Sequence, residues 1–135
     1  MAKKPHKYAG ARLELTTALA PQRIAELSKS VAEGVRKVRF EGASSGQTHF
    51  SVRHLGGVVE WMTFDVSIAT SDEGSKVTTA IGRYLTTQPT VLAIPVGPKE
   101  MLGYKIYRKY LHALAEAVAR EDSAARHSVT ELATI

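Results

Sequence analysis

Residues 98–120 read PKEMLGYKIYRKYLHALAEAVAR, and their periodicity decides the fold. At about 100° per residue, Tyr104, Ile106, Tyr107, Tyr110, Leu111, Leu114 and Val118 fall on one side of a helix, and Lys105, Arg108, Lys109, His112, Glu116 and Arg120 on the other. Gly97-Pro98 predicts the start, because a first-turn residue has no intrahelical use for its amide hydrogen and proline lacks one. Three tyrosines on or beside the apolar arc make that arc broad. A helix of this kind needs a wide apolar surface to lie on.

The upstream chain reads as the sheet that supplies it. Residues 1–10 are basic and poor in apolar side chains, and are expected to form a mobile arm. Residues 11–17 alternate as a first strand, and PQRIAELSKSVAEG from Pro21 to Gly34 has the stripe and glycine stop of a short helix. Four strands follow, Val35–Glu41, Gln47–His54, Val58–Ala69 and Lys76–Gln88, separated by GASSG, LGG and SDEG. Register follows from keeping apolar residues on one face. A turn over Leu55-Gly56-Gly57 pairs Val52 with Glu60 and Phe50 with Met62. A turn over Ser71–Gly74 pairs Ile68 with Val77, Phe64 with Ile81 and Met62 with Arg83. PTVLAIPVGP at 89–98 carries three prolines and is expected to be an extended connector, since proline cannot join a central ladder. Residues 122–135 show weak periodicity and are expected to be a flexible tail. The expected fold is α+β, a five-stranded antiparallel sheet in β-α-β4-α order gripping the long C-terminal helix, in one domain over 11–121.

Composition narrows the function classes. The 135 residues are 44% apolar and 23% charged, which suits a single domain with a real core. Cysteine is absent, which excludes disulfide and thiol chemistry, and the histidines lack metal-ligand spacing, so neither a metal nor a cofactor is expected. No apolar run reaches the roughly 20 residues of a membrane span, and a cytoplasmic location is expected. The formal charge of +5 suits an acidic partner.

Two constellations emerge from the derived register. On the inner face, Glu60 lies diagonal to both Arg83 and His54. These three, with Met62 and Phe64 from the sheet and Tyr104, Tyr107 and Tyr110 from the helix, would form a pocket for a small apolar or aromatic ligand. Glu60 or His54 could act there as a general base. On the outer face Trp61 is expected opposite Tyr84, beside Arg39 and Arg53, an aromatic and cationic surface suited to nucleic acid or to a homodimer partner. An ordinary surface ion pair and a simple cross-strand aromatic pair are the plainer alternatives. No nucleophile motif, phosphate loop or dinucleotide fingerprint occurs.

The segments ARLELTTALAPQRIAEL, SDEGSKVTT and IPVGPKEMLGYKIYRKYLHALAEAV, in their order, resemble the helix-grip fold of the START and polyketide-cyclase superfamily. The resemblance implies a curved sheet around the last helix with a ligand cavity between them, and cyclase-like acid–base chemistry if the protein is an enzyme. The chain has fewer strands than most members. Its strand order is also similar to the half-repeat of the TATA-box-binding protein fold, whose sheet touches DNA.

Overall fold

The computed structural model describes residues 6–54, 56–88 and 90–132. In chain order the elements are β1 (Arg12–Thr17), α1 (Pro21–Gly34), β2 (Val38–Ser44), β3 (Gln47–His54), β4 (Val59–Ser71) and β5 (Gly74–Tyr84). Four two-residue strands follow, β6 (Thr86–Thr87), β7 (Thr90–Val91), β8 (Ile94–Pro95) and β9 (Glu100–Met101), then α2 (Tyr104–Glu121) and β10 (Arg126–Thr130). The main sheet has six antiparallel strands in the order β10-β1-β5-β4-β3-β2. Two helices complete an α+β architecture.

The expected five-stranded sheet gains a sixth strand from the tail. Arg126–Thr130 pairs with β1, Leu13 opposite Val129 and Leu15 opposite His127. This edge strand reads RHSVT and turns mostly polar side chains to solvent, so it carries almost no apolar alternation to announce it. Residues 133–135 lie outside the described residues, as do residues 1–5 of the expected arm. His6–Gly10 are packed, with the His6 N–H donating to the Tyr84 hydroxyl at 3.0 Å and the Tyr8 ring stacked on Tyr104 at 4.2 Å.

Helix α2 begins at Tyr104, six residues after Pro98. Gly103 precedes it at φ 85°, a left-handed conformation that no right-handed helix can run through. Glu100–Met101 instead pairs with Thr86–Thr87. The proline-rich connector forms the small hairpin β7–β8, turning through Leu92 and Ala93 at φ 50° and 67° and exposing Leu92 almost fully.

The core lies between the sheet and α2. Phe50 and Phe64 from the sheet meet Tyr107 and Tyr110 from the helix at ring-centroid distances of 4.9–5.4 Å, and all four are buried. Buried hydroxyls need partners. Tyr110 donates to the Ser28 carbonyl on α1 at 3.0 Å. Tyr107 donates to the Ala11 carbonyl at 2.8 Å and lies 2.8 Å from Thr79 Oγ1. A tyrosine has one hydroxyl proton, so Thr79 donates to Tyr107, and Thr79 in turn accepts from the Leu13 N–H at 2.9 Å. The result is a directed chain, Leu13 N–H to Thr79 to Tyr107 to Ala11 C=O, that joins α2 to β5 and twice to the β1 segment. Burial pushes the Tyr107 hydroxyl up to about 12, so it stays a donor at any ordinary pH. Asp122, just past α2, accepts from Thr17 Oγ1 at 2.7 Å and from the Ala18 N–H at 2.9 Å. That contact ties the helix end to the far end of β1.

Tyr107→Phe keeps the ring and strands the Ala11 carbonyl. It should lower unfolding free energy by about 1–3 kcal/mol in urea titration, with the sheet spectrum retained; an unchanged midpoint would remove the chain from the account.

Candidate functional site

Two β-bulges decide which side chains meet. Along β3 and β4 the expected pairs Phe50–Met62 and Val52–Glu60 are corrected by two residues, to Phe50 with Phe64 and Val52 with Met62, but then Arg53 pairs with Glu60, so Trp61 is the extra residue. Along β4 and β5, Ile68 pairs with Val77 and Phe64 with Ile81 as the hydrophobic pattern predicts, but Met62 pairs with Tyr84, so Gly82 and Arg83 together face Thr63. Thr63 Oγ1 accepts from the Arg83 N–H at 2.9 Å, and a Cβ on Gly82 would lie 2.7 Å from that oxygen. A residue with a side chain would have to displace the threonine, which is why glycine stands there.

Each bulge shifts the alternation by one and exchanges the faces. Glu60 and Arg83, expected inside, lie on the outer face: Glu60 Oε1 is 3.6 Å from Arg53 and 3.4 Å from Arg83, whose side chain is 80% exposed. Trp61 and Tyr84, expected outside, lie on the helix side. A Cβ on Gly103 would sit 3.4 Å from the Trp61 Cβ, and Tyr84 stands opposite the buried Met62. The expected triad of Glu60, Arg83 and His54 is therefore split between two faces, and Trp61 and Tyr84 do not form an outer-face aromatic pair.

The helix tyrosines are likewise otherwise engaged. Tyr107 and Tyr110 fill the core with Met62 and Phe64, and Tyr104 stacks on Tyr8 while donating to Glu131 at 2.5 Å. Burial and the neighbouring Glu131 carboxylate both push the Tyr104 hydroxyl up.

On the outer face Glu41 organises a small ion-pair network. Its Oε1 accepts from Ser51 at 2.6 Å and from Arg53 Nε at 3.1 Å, with Arg39 at 3.8 Å. The Ser51 hydroxyl above all, with Arg53 and Arg39 behind it, holds the Glu41 carboxyl below the usual carboxylate range. Acids and bases alternate through Arg39, Glu41, Arg53, Glu60 and Arg83, so this face carries no one-signed field.

The sheet end beside this network is different. Arg36, Lys37, Arg39 and Arg53, with His54 and the Gly56-Gly57 turn, line a cleft of about 550 Å3 in which no lining residue is a carboxylate. Lys37 holds φ at 75°, a left-handed backbone that costs a lysine roughly 1–2 kcal/mol. That conformation brings its ammonium 3.2 Å from His54 Nδ1 and 4.8 Å from the Trp61 ring centroid. An ammonium only donates, so His54 Nδ1 accepts, and the imidazole stacks on Trp61 at 4.4 Å and 18°. His54 thus lines the cleft among the cations, and the Trp61 ring, outside the lining, backs its imidazole. Arg36 was invisible as a site residue because it lies in the turn between α1 and β2; its one signal is the basic run RKVR at 36–39.

Among the described residues no group of three or more His, Asp or Glu side chains converges as a metal site requires, and no helix is long and apolar enough to cross a membrane. Comparison with protein-family models, with curated proteins and with solved structures gives no match to the chain.

A depressed carboxyl pKa stabilises the fold above the unfolded value, and the contribution is lost as pH falls through the lower folded value. Glu41→Gln should therefore cost about 1 kcal/mol near neutrality, a figure discounted for the side chain's partial exposure. The gap to the wild type should close as pH drops through the acid range in thermal melts. A gap that stays constant with pH would show that Glu41 acts through shape alone.

Proposed function

We propose that the protein is an interaction module that binds nucleic acid through backbone phosphates at the basic cleft. The carrying observation is the lining of that cleft: four cationic side chains and a histidine, with no carboxylate among them. Arg53 is already shared between Glu41 and Glu60, whereas Arg39 meets Glu41 only at 3.8 Å and is 64% exposed, so Arg36, Lys37 and Arg39 are the side chains placed to neutralise phosphates. Lys and Arg that displace condensed counterions bind with strong dependence on salt. The strained backbone at Lys37 supports a functional reading, since strain held by its surroundings gathers at sites of action. The His54–Trp61 stack is a flat surface on which a base could rest.

The antiparallel sheet with α2 laid across it supports a helix-grip-like arrangement. The interior is occupied by Phe50, Phe64, Tyr107 and Tyr110, which favours a partner at the rim over an apolar ligand stored between sheet and helix. The alternation of charge on the outer face also favours the cleft over the open sheet as the contact surface.

Fluorescence anisotropy with a labelled single-stranded oligonucleotide tests this. With three phosphates neutralised, the logarithm of affinity should fall against that of salt with a slope of about −2. Arg36→Ala should reduce that slope. Lys37→Gly should weaken binding while leaving stability within about 1 kcal/mol, because glycine relieves the left-handed strain and costs chain entropy in return. Binding that ignores salt, or that survives both substitutions, would overturn the proposal.

A further inference from the structure

Away from the cleft, at the other end of the β2–β3 hairpin, three side chains from three strands form one hydrogen-bonded line. Ser44 Oγ lies 2.8 Å from His49 Nε2, and His49 Nδ1 lies 2.6 Å from Asp65 Oδ1. Register builds the line. His49 stands directly opposite Asp65 on β4 and opposite Gly42 on β2. Because Gly42 has no side chain, the imidazole is free to lean towards Ser44, the last residue of β2. Ser44 closes against Gln47 through the two-residue turn Ser45-Gly46, both at positive φ.

We infer that Ser44, His49 and Asp65 form a catalytic triad that hydrolyses short-chain acyl esters. The atom roles are those the chemistry requires: the ring nitrogen facing the carboxylate carries the proton, which leaves the other to accept from the serine. His49 Nε2 takes the Ser44 proton as Oγ bonds to the acyl carbon. The imidazolium then returns that proton to the departing alkoxide, the ester C–O bond breaks, and an alcohol and an acyl-Ser44 remain. Water, deprotonated by Nε2, attacks the acyl carbon; the bond to Ser44 breaks, and the proton held by His49 restores the hydroxyl as the carboxylic acid leaves. In the tetrahedral steps the negative oxygen falls to the amides of Ser45 and Gly46, neither of which donates in a turn or loop backbone hydrogen bond among the described residues. An amide of the residue after the nucleophile is the usual donor for this charge.

Substrate size follows from the surroundings. His49 and Asp65 border a cleft of about 290 Å3 walled by Glu41, Arg53, Glu60 and Arg83 with Phe50 and Thr63, and Ser44 stands exposed outside it. With Phe50 only 1% exposed and Ser44 open to solvent, a long acyl chain finds almost no apolar surface to lie against, so an acetyl-sized group is the match. The His49 and Asp65 side chains are 36% and 38% exposed, which leaves room for substrate and water to approach.

The test uses the full chain with p-nitrophenyl acetate and, separately, a fluorophosphonate probe followed by intact mass and peptide mapping. The wild type should release nitrophenolate faster than an equal concentration of free imidazole and carry one phosphonyl group, on Ser44. Ser44→Ala should lose about 100-fold in rate and all labelling, and Asp65→Asn should also slow it, each with an unchanged circular dichroism spectrum. Ser67→Ala, a hydroxyl on the same face outside the line, should match the wild type. Wild-type hydrolysis no faster than imidazole, label elsewhere, or a rate that persists in Ser44→Ala and falls only in His49→Gln would overturn the assignment.

Discussion

The structure depends on a polar line through a largely apolar core, from the Leu13 N–H through Thr79 and Tyr107 to the Ala11 carbonyl. Aromatic packing fills the space between sheet and helix, but dispersion attraction is individually weak and has no fixed direction. Hydrogen bonds fix direction as well as distance, most strictly where no water can replace them. The chain therefore sets where α2 lies over β1 and β5. Gly103 must then pass close to Val52, Met62 and Trp61 at the helix entrance, and Asp122 reaches Thr17 and Ala18 at its exit.

With the helix so placed, the sheet is covered along its centre and left open at its ends and outer face, and the two proposed sites lie in those open parts. At one end the α1–β2 turn, the adjoining ends of β2 and β3 and Gly56-Gly57 make a cleft lined by cations, with Trp61 stacked on its histidine. At the other, the β2–β3 turn brings a serine within reach of a histidine already fixed by an aspartate. Between them the Glu41, Arg53 and Glu60 network balances its own charges and separates the two.

Much of this was legible in the amino-acid order. The α2 stripe, the α1 stop at Gly34 and the β4–β5 register from Ile68 to Phe64 all follow from apolar spacing, since a slip there would expose several large side chains at once. What was not legible has a common cause. A bulge inserts one residue and reverses every face beyond it, and its determinants are local: the close contact of Gly82 with Thr63, and Trp61 finding room beside Gly103. Near the strand ends few apolar residues remain to resist the reversal. The expected meeting of Glu60, Arg83 and His54 failed for that reason, and so did the outer Trp61–Tyr84 pair. Strand β10 escaped notice because pairing, rather than burial, holds it. Ser44 came near His49 only because the turn after it takes two residues, where the run GASSG suggests a longer loop.

The central claim is that Trp61 lies on the helix side, stacked on the histidine that lines the cleft. Trp61 is the only tryptophan, so its indole resonances in a two-dimensional nuclear Overhauser spectrum are assigned without ambiguity. Cross-peaks from the indole to the His54 ring and to the Lys37 side chain, with Met62 and Gly103 protons nearby, are the predicted result. An indole that shows contacts to Thr63 or Arg83 side chains instead would place Trp61 on the outer face, and would contradict both the bulges and the cleft built on them.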